Sequence, residues 1–462
     1  MYDFLLIASC LVFAATCLAY SRHQAASLLH PATIYLAFHG FIFVIRPLFA
    51  RFYDFDLVYR VYDFQPSMSD KITVILGANL AMLVFTFVSV RVASQRVAPI
   101  PRDEFDRYRG ILAGPIMLAA IILGPLAIAA QIANWARRVD PYQTMSRDAA
   151  TGILVNIESN GWFSDSALML APLAVLAVWL FRYRFPGWMV FGAASILMLG
   201  SGGRGSFIFA AAAVTFIYML ERHRTWFDGR IMLLAAVSLV SFNAVVEDRG
   251  AAVRGLLGAG SDDTYTSSYE LDPLEHMDFA NLEYFEFVVY AVPQRTGSWD
   301  YFAHNLQIFT EPVPRALWKD KPIGSPVQFF QLWDYGTPIG MTISLPGAGW
   351  MSFGYLGIVI QAAVFALLYG LLYTRLLVNR PGAVASLIYA LGIATSVTVL
   401  RDGILLTLLR QLPFYLGPLI LALAFARFGA EPRRAHIRAT MPEQPADTPA
   451  ARRKALAARA AQ

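Results

Sequence analysis

Long apolar runs, each nearly free of charge, recur from one end of this chain to the other, and they leave few folds open to it. They lie near 2–20, 28–50, 72–93, 111–134, 161–181, 188–200, 207–220, 231–246, 350–374, 383–400 and 404–426. Several reach the roughly 17–25 residues that a helix needs to cross a hydrocarbon core about 30 Å thick. Backbone amides find no water there, so each crossing segment must satisfy its own hydrogen bonds as a helix. The pattern predicts an all-α polytopic membrane protein with about eleven transmembrane helices. The runs 188–200 and 207–220 are short, and with the intervening Ser201-Gly-Gly-Arg-Gly-Ser206 they also fit one bent or re-entrant unit. Composition agrees: 15% of residues are charged, against roughly 25% in soluble domains.

One stretch breaks the rhythm. Residues 247–349 form a polar, aromatic insertion between a first transmembrane bundle (1–246) and a second (350–428), and a basic tail follows (429–462). The tail is rich in Ala, Arg and Pro without apolar periodicity, the composition of a disordered segment. Lys and Arg in short loops set topology. Alternating the spans back from the tail collects Arg22, Arg96, Arg102, Arg107, Arg109, Arg182, Arg184, Arg222, Arg224, Arg230, Arg375 and Arg380 on the tail's side, more than the opposite short loops hold. That side is expected to be cytoplasmic. The insertion, with loops 51–70 and 135–160, Gly202–Gly205 and Arg401-Asp402, then faces outward. The net charge of +5 rests on the tail and points to anionic lipid, with no nucleic acid implied.

Candidate chemistry gathers on that outward side. Arg401-Asp402-Gly403 sits at a turn between two spans, and Arg410 lies about two turns into the last one. An arginine at that depth is expensive unless it snorkels, is paired or lines a watery cavity, and Arg46 before Pro47 poses the same choice nearer its rim. A cationic pocket suits a pyrophosphate, which planar guanidinium groups bind through paired hydrogen bonds. Arg204, within its glycine-rich turn, fits the same picture, because successive amides there can form an anion nest. The insertion adds Arg249, Arg254, Arg295, Arg315, Lys319 and Lys321.

Phe279–Val292 reads as an amphipathic helix carrying Glu283, Glu286 and Tyr290 on one face. Paired carboxylates serve as a general base when burial raises one pKa, and they also occur on solvated faces. His276 and His304 are further candidate bases. The seven histidines show no metal-ligand spacing, and no cofactor is expected. Cys10 and Cys17 share a face of the first span and read as packing or lipid-facing thiols. The insertion's aromatic residues, Trp318 among them, suit sugar stacking as well as an interfacial belt.

The segment Pro312-Val-Pro-Arg-Ala-Leu-Trp-Lys-Asp-Lys-Pro322, then Ser344-Leu-Pro346 and Phe353-Gly-Tyr-Leu-Gly357, resembles the bacterial O-antigen and exopolysaccharide repeat-unit polymerases of the Wzy type. There a Pro-Arg-x-x-Trp-x-x-Lys-Pro stretch in a large periplasmic loop precedes a Phe-Gly-x-x-Gly span start. Ser201-Gly-Gly-Arg-Gly205 is similar to a Ser-Arg-Gly turn that these polymerases share with the O-antigen ligases. The resemblance implies a GT-C-like glycosyltransferase of the inner membrane, with its active face periplasmic and its C-terminus cytoplasmic. Its partners would be undecaprenyl-pyrophosphate-linked oligosaccharides, the bilayer and a chain-length regulator. Under that reading Arg204, Arg315, Arg401 and Arg410 hold the pyrophosphate, with Arg295, Lys319 and Lys321 assisting. Glu283, Glu286 or His304 acts as base, and Trp318 packs the motif or stacks on sugar. Two alternatives are an O-antigen ligase and, from another class, a lipid-linked oligosaccharide flippase or transporter. A transporter would show inverted repeats and charges along a central path; this sequence shows no internal repeat.

Overall fold

The computed structural model describes residues 2–62, 64–136, 145–147, 154–156, 161–200, 204–226, 228–229, 232–233, 275, 279–310, 313, 317–318 and 342–440. Among these, eight helices are long and apolar enough to cross a membrane: Tyr2–Ser21, Pro31–Tyr53, Met68–Val92, Arg102–Trp135, Gly161–Leu180, Leu345–Asn379, Ala383–Asp402 and Leu405–Phe428. Phe185–Gly200 and Arg204–Glu221 are shorter apolar helices, so the runs expected at 188–200 and 207–220 are two helices. The run at 231–246 falls outside the described residues. Strand is confined, among the described residues, to the antiparallel pair Met145–Arg147 and Leu154–Asn156.

The span Met68–Val92 opens with a capping box in which Ser67 and Asp70 satisfy each other's backbone amides. It runs alongside 355–373, with Gly77 against Ile358 near one end and Gly370 against Val92 near the other. The second span, Pro31–Tyr53, contains a π-helical stretch at Gly40–Ile45, immediately before Arg46-Pro47. Proline cannot donate to the preceding turn, and the wider π turn takes up the mismatch. It also rotates the residues beyond it, and Arg46 ends up inside the bundle, 1% exposed.

The helical stretch Leu345–Tyr373 is not a straight rod. Phe353 (φ −168°, ψ 47°) and Gly354 (φ 58°, ψ −143°) leave helical geometry, and the chain doubles back there. A Cβ at Gly349 would lie 2.6 Å from the Cα of Ile358, and one at Gly357 would lie 2.1 Å from the Gly349 carbonyl oxygen. In an uninterrupted helix, positions 349 and 358 stand about 13 Å apart along the axis. Residues 345–352 are thus a short helix folded against the start of the following one, which runs straight from Tyr355, not from the expected 350. The Phe353-Gly-Tyr-Leu-Gly357 motif is this reversal: Gly354 supplies the positive φ, and Gly357 permits the close backbone approach.

The two ends of the bundle differ. At one, Arg109 bonds the Trp179 carbonyl, Asp106 and Glu221, Tyr183 also reaches Glu221, and Arg182 pairs with Asp106. At the other end lie the short helix Leu57–Tyr62, the rim helix Asn281–Ala291, the 345–352 hairpin and the Arg401-Asp402-Gly403 turn.

Candidate functional site

The rim helix is buried along nearly its whole length, so of the two settings left open for its carboxylate pair, the structure has the buried one. Each end of it is tied to another part of the chain. Arg46 donates to Glu283 through Nε, at 3.0 Å to both carboxylate oxygens, and through Nη2 at 2.8 Å. Tyr59 donates to Glu286 Oε2 at 2.5 Å. Lys71 lies nearby, its Nζ 5.3 Å from the centre of the Tyr59 ring. Leu57, Val58 and Phe64 pack against Ala280, Tyr284 and Phe287 in a small core separate from the main one, and Glu275 accepts the backbone amides of Asp56 and Leu57.

The two glutamates therefore have different electrostatics. The guanidinium fork of Arg46 compensates the charge of Glu283. Burial pushes the Glu286 carboxyl up to about 7, with a smaller upward push from Glu283 and Asp70; Lys71 and the bond from Tyr59 oppose it. Burial and the adjacent glutamates likewise raise the Tyr59 phenol above its usual range. Both carboxylates are engaged by protein groups in a buried place, so the pair braces the rim helix.

A different pair stands at the seam between this outer layer and the spans. Nδ1 of His304 lies 2.8 Å from Asp300 Oδ1, and its backbone amide donates to Asp300 Oδ2 at 3.3 Å. Asp300 is fully buried while His304 is partly open. The backbone amides of Asp300 and Tyr301 donate to the carbonyls of Met351 and Ser352 and so close the end of the 345–352 helix. Tyr301 and Phe302 both take positive φ, which turns the chain sharply into Ala303–Leu306. When the imidazole is neutral and the carboxylate ionised, Asp300 can only accept, which puts the hydrogen on Nδ1 and leaves Nε2 with its lone pair.

The next residue joins this pair to the spans. Asn305 and Gln361 exchange amide hydrogen bonds, Leu405 N donates to Asn305 Oδ1 at 2.9 Å, and Gln361 Nε2 donates to the Gly403 carbonyl at 2.6 Å. The end of the Arg401 turn is thereby tied to Asn305, the neighbour of His304 in sequence. Arg401 Nε donates to Thr342 Oγ1, and its carbonyl accepts from Ser344 N and from Asn281 Nδ2 at the start of the rim helix. Gly403 has φ +75°, and a Cβ there would stand 2.2 Å from the Ser344 carbonyl oxygen. Only glycine fits this crossing.

The other basic candidates separate. Arg410 grips Asp165 through Nε–Oδ2 at 2.5 Å and Nη2–Oδ1 at 3.1 Å, in an exposed ion pair. Arg204 opens its helix at the same end of the bundle, where Gly205 touches Thr398, one turn before Arg401. Arg295 lies over Tyr290, 3.8 Å from the ring centre. Trp318 is partly exposed. Arg249, Arg254, His276, Arg315, Lys319 and Lys321 lie outside the described residues.

Sequence reasoning missed Asp300, Asp165, Asn281 and the Asn305–Gln361 pair. Two signals were available: Asp300 precedes His304 by four residues, and Gln361 is an uncharged polar group within an apolar span. Asp165 and Asn281 carry no such mark. Comparison with family models, curated proteins and solved structures gives no match.

Proposed function

We propose that this chain is a membrane glycosyltransferase of the repeat-unit polymerase type, joining undecaprenyl-pyrophosphate-linked oligosaccharides into O-antigen or exopolysaccharide. In this reading the chain has eleven spans, with 231–246 among them, and the end bearing the rim helix faces the periplasm of the inner membrane. One observation carries the proposal: the segment bearing the Asp300–His304 pair is tied through Asn305 and Gln361 to Gly403 and Leu405, at the end of the Arg401 turn where the polar, aromatic insertion joins the spans.

The chemistry runs as follows. Nε2 of His304 takes the proton from the terminal hydroxyl of one lipid-linked unit. That oxygen attacks the anomeric carbon of the growing chain, the bond from that carbon to the pyrophosphate oxygen breaks, and undecaprenyl pyrophosphate departs as the anion. Arg401, together with Arg204 and Arg315, meets the charge that develops on the leaving group, and fixed donors of this kind need no reorganisation at the moment of reaction. Arg410, Arg295, Lys319 and Lys321 are the secondary cationic contacts for the acidic substrate, and Trp318 offers a face to sugar. Glu283 and Glu286 brace the site.

The test is the length of the polymer made in cells that depend on this chain. Arg401→Ala and Arg315→Ala should each abolish long chains while single repeat units accumulate on lipid. Normal chain lengths in both variants, with normal protein levels, would remove the assignment.

A further inference from the structure

The segment that carries His304 is tied to the first turns of two helices long enough to cross a membrane. Its anchor, Asn305, bonds Gln361 and the amide of Leu405. Gln361 is six residues into the straight helix that starts at Tyr355, a descent of about 9 Å at 1.5 Å per residue, and Leu405 begins another spanning helix. Residues 303–309 thus run across the bundle at the level of the first turns of two membrane-crossing helices, and they pack against the helix that starts at Leu405.

The two faces of this segment differ. Inward, Asn305 is buried and fully engaged. Outward, Leu306 is 57% and Phe309 74% exposed, and Tyr301 stands beside the exposed ring of Phe353, with ring centres 6.2 Å apart. Phe353 continues into Leu356 and Ile360, exposed apolar side chains on the membrane-spanning helix itself. Through Tyr301 the segment therefore adjoins an exposed apolar stripe of a helix long enough to cross a membrane. Its backbone is also suited to that depth: Ala303, Asn305, Leu306 and Thr310 amides all find carbonyls within 300–307, as a segment facing hydrocarbon requires.

We propose that residues 301–309 form an in-plane wedge in the lipid, with Leu306 and Phe309 buried among acyl chains at the edge of the hydrocarbon layer and Tyr301 at the headgroup level. Amphipathic segments lie in the interface in this way, with the apolar face a few ångströms below the headgroups. The wedge puts the Asp300–His304 pair at the boundary between lipid and water. The lipid contact stands whatever reaction the site performs.

Cysteine accessibility tests it. In the full chain with Cys10→Ala and Cys17→Ala, a nitroxide is attached at Phe309→Cys, and separately at Leu306→Cys, in phospholipid nanodiscs. Relaxation by oxygen, which concentrates in lipid, is compared with relaxation by a water-soluble nickel chelate. Labels at Ile121→Cys, on an exposed apolar stretch of a span, and at Arg22→Cys, on an exposed loop, give the two references. The oxygen-to-nickel ratio at 309 and 306 is expected to rise well above the Arg22 value while staying below that of the mid-span Ile121, as at the edge of the hydrocarbon layer. A ratio at the Arg22 value would place the segment in water, and protection from both reagents would show it covered by protein; either result overturns the wedge. Polymer assays on Arg401 variants are unaffected by this outcome, so the two proposals fail separately.

Discussion

Arg46 and Glu283 meet across 237 positions of sequence as a buried guanidinium–carboxylate fork, and this contact fastens the second span to the rim helix. Removing one partner of a buried pair strands the other charge, at a cost of about 3–5 kcal/mol, whereas replacing both with apolar or neutral groups is far milder. Arg46→Met should therefore lower the melting temperature of the detergent-solubilised protein sharply, and Arg46→Met with Glu283→Gln should recover most of the loss. Equal melting temperatures for single and double variants would show that the fork is not the fastening.

The Glu286 carboxyl gives a pH dependence with a definite sign. Its folded pKa of about 7 lies above the ordinary 4.5, so the folded protein holds this proton more tightly than the unfolded chain. The stability it contributes is whole below about pH 4.5 and is lost as pH rises through about 7, an effect on the order of 3 kcal/mol. Glu286→Gln, which stays neutral and keeps an acceptor for Tyr59, should flatten the melting-temperature profile across that window. An unchanged slope would assign the dependence to other groups.

Gly403 combines positive φ with contact against the Ser344 carbonyl. Left-handed backbone alone costs a non-glycine residue about 1–3 kcal/mol, and asparagine tolerates it best. Here asparagine should fare no better than alanine, because the obstacle is the Cβ itself. Both Gly403→Ala and Gly403→Asn should lower the yield of folded protein, as judged by size-exclusion profile. A normal profile for the asparagine variant would show that backbone conformation is the sole constraint.

The Asp300–His304 pair predicts two different kinetic lesions in a reconstituted assay with lipid-linked units. His304→Gln removes the proposed base, and the rate should fall by about 10²–10⁴-fold, the usual worth of a positioned proton acceptor. Asp300→Asn keeps the shape but allows the wrong tautomer, so the rate should fall with its pH profile displaced while substrate binding is kept. Loss of binding in both variants, with the pH profile unmoved, would make the pair purely structural.

How much was legible in the sequence follows from what each inference needed. Helix length and apolar content are local properties, and the spans near 2–20, 72–93, 161–181 and 383–400 stand within a few residues of where they were expected. The rim helix was placed from its spacing, but its environment was not. Periodicity put Glu283 and Glu286 on one face; which groups that face meets depends on Arg46 and Tyr59, more than two hundred positions away. Arg410 presented a choice among snorkelling, pairing and lining a cavity, and it was decided by Asp165, a partner with no local signature. Phe353-Gly-Tyr-Leu-Gly357 was visible as a motif, yet as a span start; that it reverses the chain depends on Gly349 and Gly357 meeting, a contact invisible to hydropathy because both arms are apolar.

By itself, then, the sequence determined that this protein is a helical membrane protein with its polar, aromatic residues concentrated in one interruption, because the bilayer requires helices and hydropathy is written residue by residue. Tertiary structure decided which polar groups meet: Arg46 with Glu283, Tyr59 with Glu286, His304 with Asp300 and Arg410 with Asp165. Hydrogen bonds and ion pairs join residues by proximity in space, and proximity across hundreds of positions exists only after the helices have packed.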